Sequence, residues 1–137
     1  MKIEHVAIYV RDVDTEKDFF VKYFGAKATN KYTNFRTDFT NYFLTFEDGS
    51  RLEIMNRATM VDAAKPEYRS GFHHIAMEVG DRKDVDDMTK KLQKDGYTVV
   101  KGARETGDAQ YASVVLDPEG NEIELIAKQT SGTTYKE

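Results

Sequence analysis

The sequence contains no cysteine, and this absence excludes several kinds of chemistry at once. Without thiols the chain has no disulfides, no thiolate metal ligands and no cysteine nucleophile. It also lacks any apolar run near the ~20 residues that a membrane-spanning helix needs. The opening stretch MKIEHVAIYVRD meets charged residues too early for a secretory signal peptide. We therefore expect a soluble, cytoplasmic protein that does not interact with membranes.

An excess of basic charge is also missing. The chain has 20 Lys and Arg against 24 Asp and Glu, a formal net charge of −4, and both signs are mixed along its length. This pattern leaves no basic surface of the kind that binds nucleic acid, so we expect no nucleic-acid partner. A length of 137 residues suits one domain, or two small modules that share a core.

The same order of elements is predicted twice along the chain. The first half contains a strand, a helix with aromatic residues at helical spacing and a hairpin, predicted at 3–10, 12–25 and 41–55. The second half repeats a strand, a helix, a strand and a hairpin, predicted at 72–79, 81–96, 97–100 and 111–126. Such internal repetition predicts two copies of one α+β module.

The repeat brings one histidine and one glutamate of each half into equivalent positions. HVAIYV aligns with HIAMEV, and this alignment pairs His5 with His74. Glu53 and Glu124 each follow the turn glycine of their hairpin by four residues. Successive side chains of a strand point to opposite faces, so we expect His73 to face away from His74.

These four residues form a set that suits a divalent cation. Each one alone also fits an ordinary position on a half-exposed strand, but their recurrence in both halves favours a shared metal site. Two carboxylates gathered away from water repel each other, and a divalent cation removes that penalty. Nitrogen and oxygen ligands without sulfur suit Ni, Co, Zn, Mn or Fe, with positions left open for substrate. The ligands would be His5, Glu53, His74 and Glu124.

The chain resembles the vicinal-oxygen-chelate superfamily over residues 3–127. The stretches that carry the resemblance are EHVAIYV, FFVKYFGA, SRLEIM, FHHIAMEV and LDPEGNEIELI. It implies an α+β fold in which two βαβββ modules form a curled mixed sheet (the glyoxalase/bleomycin-resistance/dioxygenase fold), and a homodimer. On this basis residues 1–127 form a single domain with modules 1–56 and 71–127, a linker at 57–70 and a C-terminal tail at 128–137.

Within this superfamily the four-residue ligand set is similar to that of glyoxalase I. The resemblance implies one divalent metal ion, Ni or Zn foremost, with Co, Mn or Fe as alternatives. It further implies a lactoylglutathione lyase-like enzyme of methylglyoxal detoxification. Such an enzyme converts a 2-oxoaldehyde–thiol hemithioacetal to a 2-hydroxyacyl thioester by proton transfer through a metal-bound enediolate. The catalytic residues would be Glu124, as the main base, and Glu53, as its counterpart.

Two positions depart from the glutathione-type pattern. Tyr9 stands where glyoxalase I usually has an arginine, and Arg57 stands where it usually has an asparagine, with Asn56 one step earlier. In the relatives these groups help to hold the carboxylate of glutathione, so the thiol used here is open. We expect Tyr9, Arg57 and Tyr111 to contact the substrate.

Other functions and arrangements stay open at this point. The alternatives are another metal-dependent enzyme of the superfamily, either an epimerase or an extradiol dioxygenase, and a metal-free protein that binds an antibiotic or metabolite. The linker is either flexible or a short helix that brings Met60 and Tyr68 to the substrate. The four ligands could meet within one chain or across a dimer. We expect the polar tail to be a frayed end.

Overall fold

A computed structural model of the chain describes residues 1–129. They belong to two compact units, Met1–Ala64 and a second one that begins at Lys65. Each unit contains one helix and one mixed sheet, which confirms the predicted α+β class. None of the helices in this part of the chain is long and apolar enough to cross a membrane. The single-domain assignment of 1–127 stays a prediction, and residues 130–137 of the predicted tail lie outside the described residues.

The first unit holds a five-stranded sheet with one helix. Its elements are β1 (His5–Tyr9), α1 (Val13–Phe24), β2 (Lys27–Ala28), β3 (Tyr32–Asn34), β4 (Phe39–Thr45) and β5 (Arg51–Arg57). The strand order is β1-β5-β4-β2, β3 pairs with β4, and only the β1–β5 pair is parallel. The sequence did not predict β2 and β3, because strands this short show no measurable alternation.

Helix α1 begins and ends where its sequence directs. The side chain of Asp12 accepts hydrogen bonds from the backbone N–H groups of Asp14 and Thr15, both at 3.1 Å, and thereby caps the first turn. Gly25 ends the helix with φ of 65°, a left-handed conformation that glycine adopts without steric cost. The buried face carries Phe19 and Phe20, and the helix packs on β4 and β5.

The second unit holds a four-stranded sheet with one helix. Its elements are β6 (His74–Gly80), α2 (Arg82–Lys94), β7 (Val99–Glu105), β8 (Tyr111–Leu116) and β9 (Glu122–Ala127). The strand order is β6-β9-β8-β7, and β6 runs parallel to β9. The predicted strand at 97–100 is the start of the longer β7, whose two register shifts interrupt the alternation by which a strand is recognised.

Helix α2 is tied to its sheet by apolar and polar contacts together. Asp81 and Asp84 form a capping box at the N-terminus, while Val85 and Leu92 are fully buried. Thr89 is buried as well, and its hydroxyl lies 2.7 Å from that of Ser113 on β8. The helix therefore covers the face of β8 that carries Ser113.

In each unit one face of the sheet is covered by the helix, and the other face carries the glutamates. Glu53 alternates with Leu52 and Ile54, which are 4% and 0% exposed on the helix side. In the second unit, Glu124 alternates in the same way with two fully buried residues, Ile123 and Leu125. Because side chains alternate along a strand, both glutamates lie on the face of their sheet that the helix does not cover. This face is called the uncovered face.

The connection at 58–73 consists of turns and irregular backbone and contains no helix. The alternative of a short helix in this linker is therefore wrong. Tyr68 is 87% exposed, and Met60 lies beside Asn56, whose side-chain nitrogen is 3.7 Å from the methionine sulfur.

A pH-dependent contribution to stability is expected from the contact between Tyr42 and α1. The Tyr42 hydroxyl donates a hydrogen bond of 2.7 Å to Asp14. This bond, together with burial, raises the pKa of Tyr42 from 10.0 to about 12. Because the folded pKa lies above the unfolded one, the stabilisation is fully present below about pH 10 and is lost between about pH 10 and 12.

We expect the difference in unfolding free energy between wild type and Tyr42→Phe to shrink across that interval, measured by denaturant unfolding at a series of pH values. The exposed Tyr32→Phe serves as the control and should show no such trend. A Tyr42→Phe difference that stays constant with pH would contradict the contribution of this hydrogen bond.

Candidate functional site

The first predicted pair, His5 and Glu53, comes together on the uncovered face of the first sheet. In the parallel β1–β5 ladder His5 is in register with Arg51, and Ala7 is in register with Glu53. The two side chains are thus diagonal neighbours, and His5 Nε2 lies 3.6 Å from Glu53 Oε1. The Glu53 side chain is only 13% exposed, whereas that of His5 is 36% exposed.

Asn41 fixes the orientation of the Glu53 carboxylate. The side-chain nitrogen of Asn41 donates a hydrogen bond of 2.7 Å to Glu53 Oε2, and Asn41 is only 8% exposed. With Oε2 held by this bond, Oε1 is the oxygen that faces His5. The sequence did not predict a role for Asn41. Phe43 on β4 is in register with Glu53, and Asn41 precedes Phe43 by two residues, so it lies on the same face of the sheet as Glu53.

A second contact holds Nδ1 of the His5 ring. Glu4 Oε1 lies 3.1 Å from His5 Nδ1 and also accepts a hydrogen bond of 2.7 Å from Arg51. The hydrogen bond with His5 and the charge of Arg51 lower the pKa of Glu4, so its carboxylate is ionised and can only accept. A neutral His5 that donates from Nδ1 keeps a free lone pair on Nε2, which is the form of imidazole that binds metals.

The second predicted pair, His74 and Glu124, comes together on the uncovered face of the second sheet. His74 Nε2 lies 4.0 Å from Glu124 Oε2, and the two side chains are 38% and 22% exposed. His74 opens β6, and Glu124 lies in the neighbouring parallel strand β9, in register with Ala76. This diagonal arrangement matches that of His5 and Glu53 in the first unit.

The prediction that His73 faces away from His74 is wrong. Strand β6 begins at His74, so the alternation of a strand does not extend to His73. The two rings meet edge to face with centroids 5.1 Å apart, and their Nδ1 atoms are 2.8 Å from each other. The Nε2 atom of His73 lies 3.1 Å from Glu122, a second glutamate on β9.

The atoms of each pair fit a divalent cation. Zinc lies about 2.0–2.2 Å from its nitrogen and oxygen ligands, so one ion contacts both atoms of a pair when they are no more than about 4.2 Å apart. The separations of 3.6 and 4.0 Å meet this condition. Within residues 1–129 no cluster of three or more His, Asp or Glu side chains could hold a metal ion.

Two of the predicted substrate residues share the face of Glu53. Tyr9 is in register with Met55, two residues after Glu53, and is 49% exposed. Arg57 lies at the end of β5 with its guanidinium 5.3 Å from the Phe39 ring. Asn56 points to the other face, where its side chain donates to the backbone oxygen of Val10 at 2.8 Å.

Tyr111 lies on the opposite face of its sheet from Glu124. In β8 it alternates with Ala112 and shares the side of Ser113, which α2 covers. Its hydroxyl donates a hydrogen bond to Asp86 of α2, and this bond raises the pKa of Tyr111. Its contact with substrate stays a prediction that this position does not support.

Comparison with known proteins identifies a family and several relatives of this chain. The family model of the Glyoxalase/Bleomycin resistance protein/Dioxygenase superfamily matches residues 2–125. The chain is 28% identical over 137 residues to the uncharacterized protein YqjT of Bacillus subtilis, an alignment that covers 91% of this chain and 98% of that protein. It is 26% identical over 135 residues to the lactoylglutathione lyase of Haemophilus influenzae, with 96% of each chain covered.

A solved structure shows the same fold at low sequence identity. The crystal structure of a glyoxalase family protein from Bacillus cereus superposes with a TM-score of 0.80 at 19% identity, and 95% of each chain is covered. The family assignment rests on the family model, because that model matches nearly the whole chain. The chain belongs to the Glyoxalase/Bleomycin resistance protein/Dioxygenase superfamily.

Proposed function

We propose that this protein is a metal-dependent lyase of the glyoxalase I type, which isomerises a 2-oxoaldehyde–thiol hemithioacetal to a 2-hydroxyacyl thioester. The observation that carries the proposal is the recurrence of a histidine–glutamate pair at metal-binding separation on the uncovered face of both sheets. The similarity to lactoylglutathione lyases supports it. Neither feature follows from the family alone, because the superfamily contains several chemistries.

We propose that each pair, His5 with Glu53 and His74 with Glu124, supplies one nitrogen and one oxygen ligand to a divalent ion. In each pair the imidazole nitrogen and the carboxylate oxygen are near enough to touch the same ion. The donor set contains no sulfur, and it suits Ni or Zn. When bound, such an ion supplies positive charge that stabilises the negative charge developing on the substrate oxygens.

The two glutamates differ in how firmly they are held, and this difference suggests separate roles. Asn41 holds one oxygen of Glu53, so that carboxylate is preorganised. Within residues 1–129 no hydrogen-bond donor holds Glu124 in the same way, and its contact with His74 is a long 4.0 Å. Glu124 can therefore turn towards the substrate, take the proton from the carbon beside the carbonyl and return it to the neighbouring carbon.

Arg57 offers the positive charge that would receive an anionic part of the thiol. It lies on the same face as Glu53, two strand positions further along β5 than Met55. The Phe39 ring supports the guanidinium at 5.3 Å. Tyr9 lies on the neighbouring strand of this face and supplies an exposed ring beside the same region.

The activity itself is the first test of the proposal. We expect the purified protein to contain a divalent metal and to turn over the hemithioacetal of methylglyoxal with at least one low-molecular-weight thiol. Removal of the metal by a chelator should abolish turnover, and Ni²⁺ or Zn²⁺ should restore it. A metal-replete protein that is inactive with every such thiol would refute the assignment, and turnover of an acyl-CoA instead would indicate an epimerase.

Replacement of the proposed base tests the role of Glu124. We expect Glu124→Gln to lower kcat by about 10²–10⁴-fold, because a carboxamide cannot accept the proton. The metal should be partly retained, since His74 and the other proposed ligands are unchanged. Glu78→Gln, an exposed glutamate of β6, is the matched control and should leave kcat unchanged. Unchanged turnover by Glu124→Gln would remove this residue from the mechanism.

The orienting contact to Glu53 gives an independent prediction. We expect Asn41→Ala to weaken metal binding by about 10–100-fold, because groups that orient a ligand contribute about that much to affinity. Isothermal titration of the metal-free protein with Zn²⁺ measures the effect. The exposed Asn30→Ala is the control. Equal affinity in the folded Asn41→Ala variant and wild type would contradict the role of Glu53 as a ligand held by Asn41.

A further inference from the structure

Four side chains of the second unit form a continuous line of contacts. Glu122 Oε2 lies 3.1 Å from His73 Nε2, and His73 Nδ1 lies 2.8 Å from His74 Nδ1. His74 Nε2 in turn faces Glu124 Oε2 at 4.0 Å. The Glu122 side chain is 11% exposed, so solvent screens its charge only weakly. Two imidazoles thus lie between two carboxylates.

The protons along this line can be assigned from one end. A carboxylate can only accept, so Glu122 favours a proton on the facing His73 Nε2. A neutral imidazole carries one N–H, so the Nδ1 of His73 is then an acceptor. Since the two Nδ1 atoms lie at hydrogen-bond distance, His74 donates from Nδ1. Its Nε2 is left without a proton, because Glu124, at 4.0 Å, is too far away to accept a hydrogen bond from it.

We propose that Glu122 and His73 are positioning residues that select the Nδ1–H tautomer of His74 and so keep its Nε2 free for the metal ion. This inference rests on the proposed role of His74 as a metal ligand. A histidine with the proton on Nε2 could not bind an ion beside Glu124, because a protonated ring nitrogen has no lone pair to donate.

The first unit contains the same four positions, but there the residue at the start of the line donates a hydrogen bond instead of accepting one. Glu4 directly precedes His5, as His73 precedes His74, and Arg51 precedes Glu53 by two residues, as Glu122 precedes Glu124. Arg51 donates to Glu4, and Glu4 contacts His5 Nδ1. The contacts in the first unit run Arg51–Glu4–His5–Glu53. The equivalent contacts in the second unit run Glu122–His73–His74–Glu124.

The two arrangements differ in which residue decides the tautomer. Glu4 is a carboxylate and accepts from His5 whatever Arg51 does. His73 can either donate or accept through Nδ1, so in the second unit the decision falls to Glu122. Arg69 keeps His73 in place, since its guanidinium donates to the backbone oxygens of Phe72 and His73 at 3.2 and 3.4 Å.

The tautomers can be read in the metal-free protein without any assay of activity. The chain has only three histidines, so ¹⁵N-labelling of their rings gives three resolvable patterns, which distinguish Nδ1–H from Nε2–H. At a pH at which the rings are neutral, we expect Nδ1–H at His5 and His74 and Nε2–H at His73. A wild-type His74 in the Nε2–H form would overturn the proposal before any variant is made.

Replacing the acceptor Glu122 by a donor tests whether Glu122 selects the tautomer of His74. We expect Glu122→Arg to place a donor against His73 and to shift His74 to the Nε2–H form, with a loss of about 10–100-fold in Zn²⁺ affinity. The double variant His73→Glu/Glu122→Arg reproduces the pair found in the first unit and should restore both the Nδ1–H form and the affinity. A merely structural role of Glu122 would not predict this rescue.

The matched control lies in the first unit. Arg51→Gln should leave His5 in the Nδ1–H form, because Glu4 still accepts its proton. A folded Glu122→Arg variant that keeps Nδ1–H at His74 would overturn the proposal. If this variant does not fold, Glu122→Gln replaces it, and an unchanged fraction of Nδ1–H would overturn the proposal equally. Expected tautomers in a protein without hemithioacetal turnover would contradict only the proposed enzymatic function.

Discussion

The alternation of side chains along β5 and β9 is the constraint on which the candidate site depends. Each strand buries its apolar residues beneath a helix, as Ile54 and Leu125 show with 0% exposure. The glutamates between those residues must then lie on the uncovered face. Shifting either strand by one residue would bury a carboxylate under a helix, so the packing of the core also fixes the register of the site.

The parallel pairing of the first and last strand of each unit supplies the histidines. In both units the strand that begins with the histidine runs beside the strand that contains the glutamate, which makes the two residues diagonal neighbours. The separations that result, 3.6 and 4.0 Å, suit ligands of one ion better than a direct hydrogen bond. Each unit therefore brings one histidine and one glutamate together by the same geometry.

The surroundings of the two pairs differ, although the backbones repeat. Asn41 donates to Glu53, whereas Glu124 lies 4.0 Å from His74, and Glu4 and His73 contact Nδ1 of their histidines by different chemistry. A repeated fold thus presents two similar histidine–glutamate pairs whose neighbouring side chains differ. This asymmetry is the basis on which we propose Glu53 as a fixed ligand and Glu124 as the residue that moves a proton.

Much of this protein follows from its sequence alone. The apolar periodicity predicted both helices and the strands that carry the site, and the repeat identified His5, Glu53, His74 and Glu124 as equivalent pairs, since alternation and spacing are local properties of the chain. The short strands β2 and β3 were missed because two or three residues show no period.

The tertiary structure decided the features that depend on where an element starts and what lies beside it. His73 contacts His74 because β6 begins two residues later than the pattern suggested, and Tyr111 turns to α2 because β8 presents that side to the helix. Asn41 contacts Glu53 on a neighbouring strand, and Glu122 contacts His73, which directly precedes β6. Such contacts join residues far apart in the chain, and no local periodicity contains them.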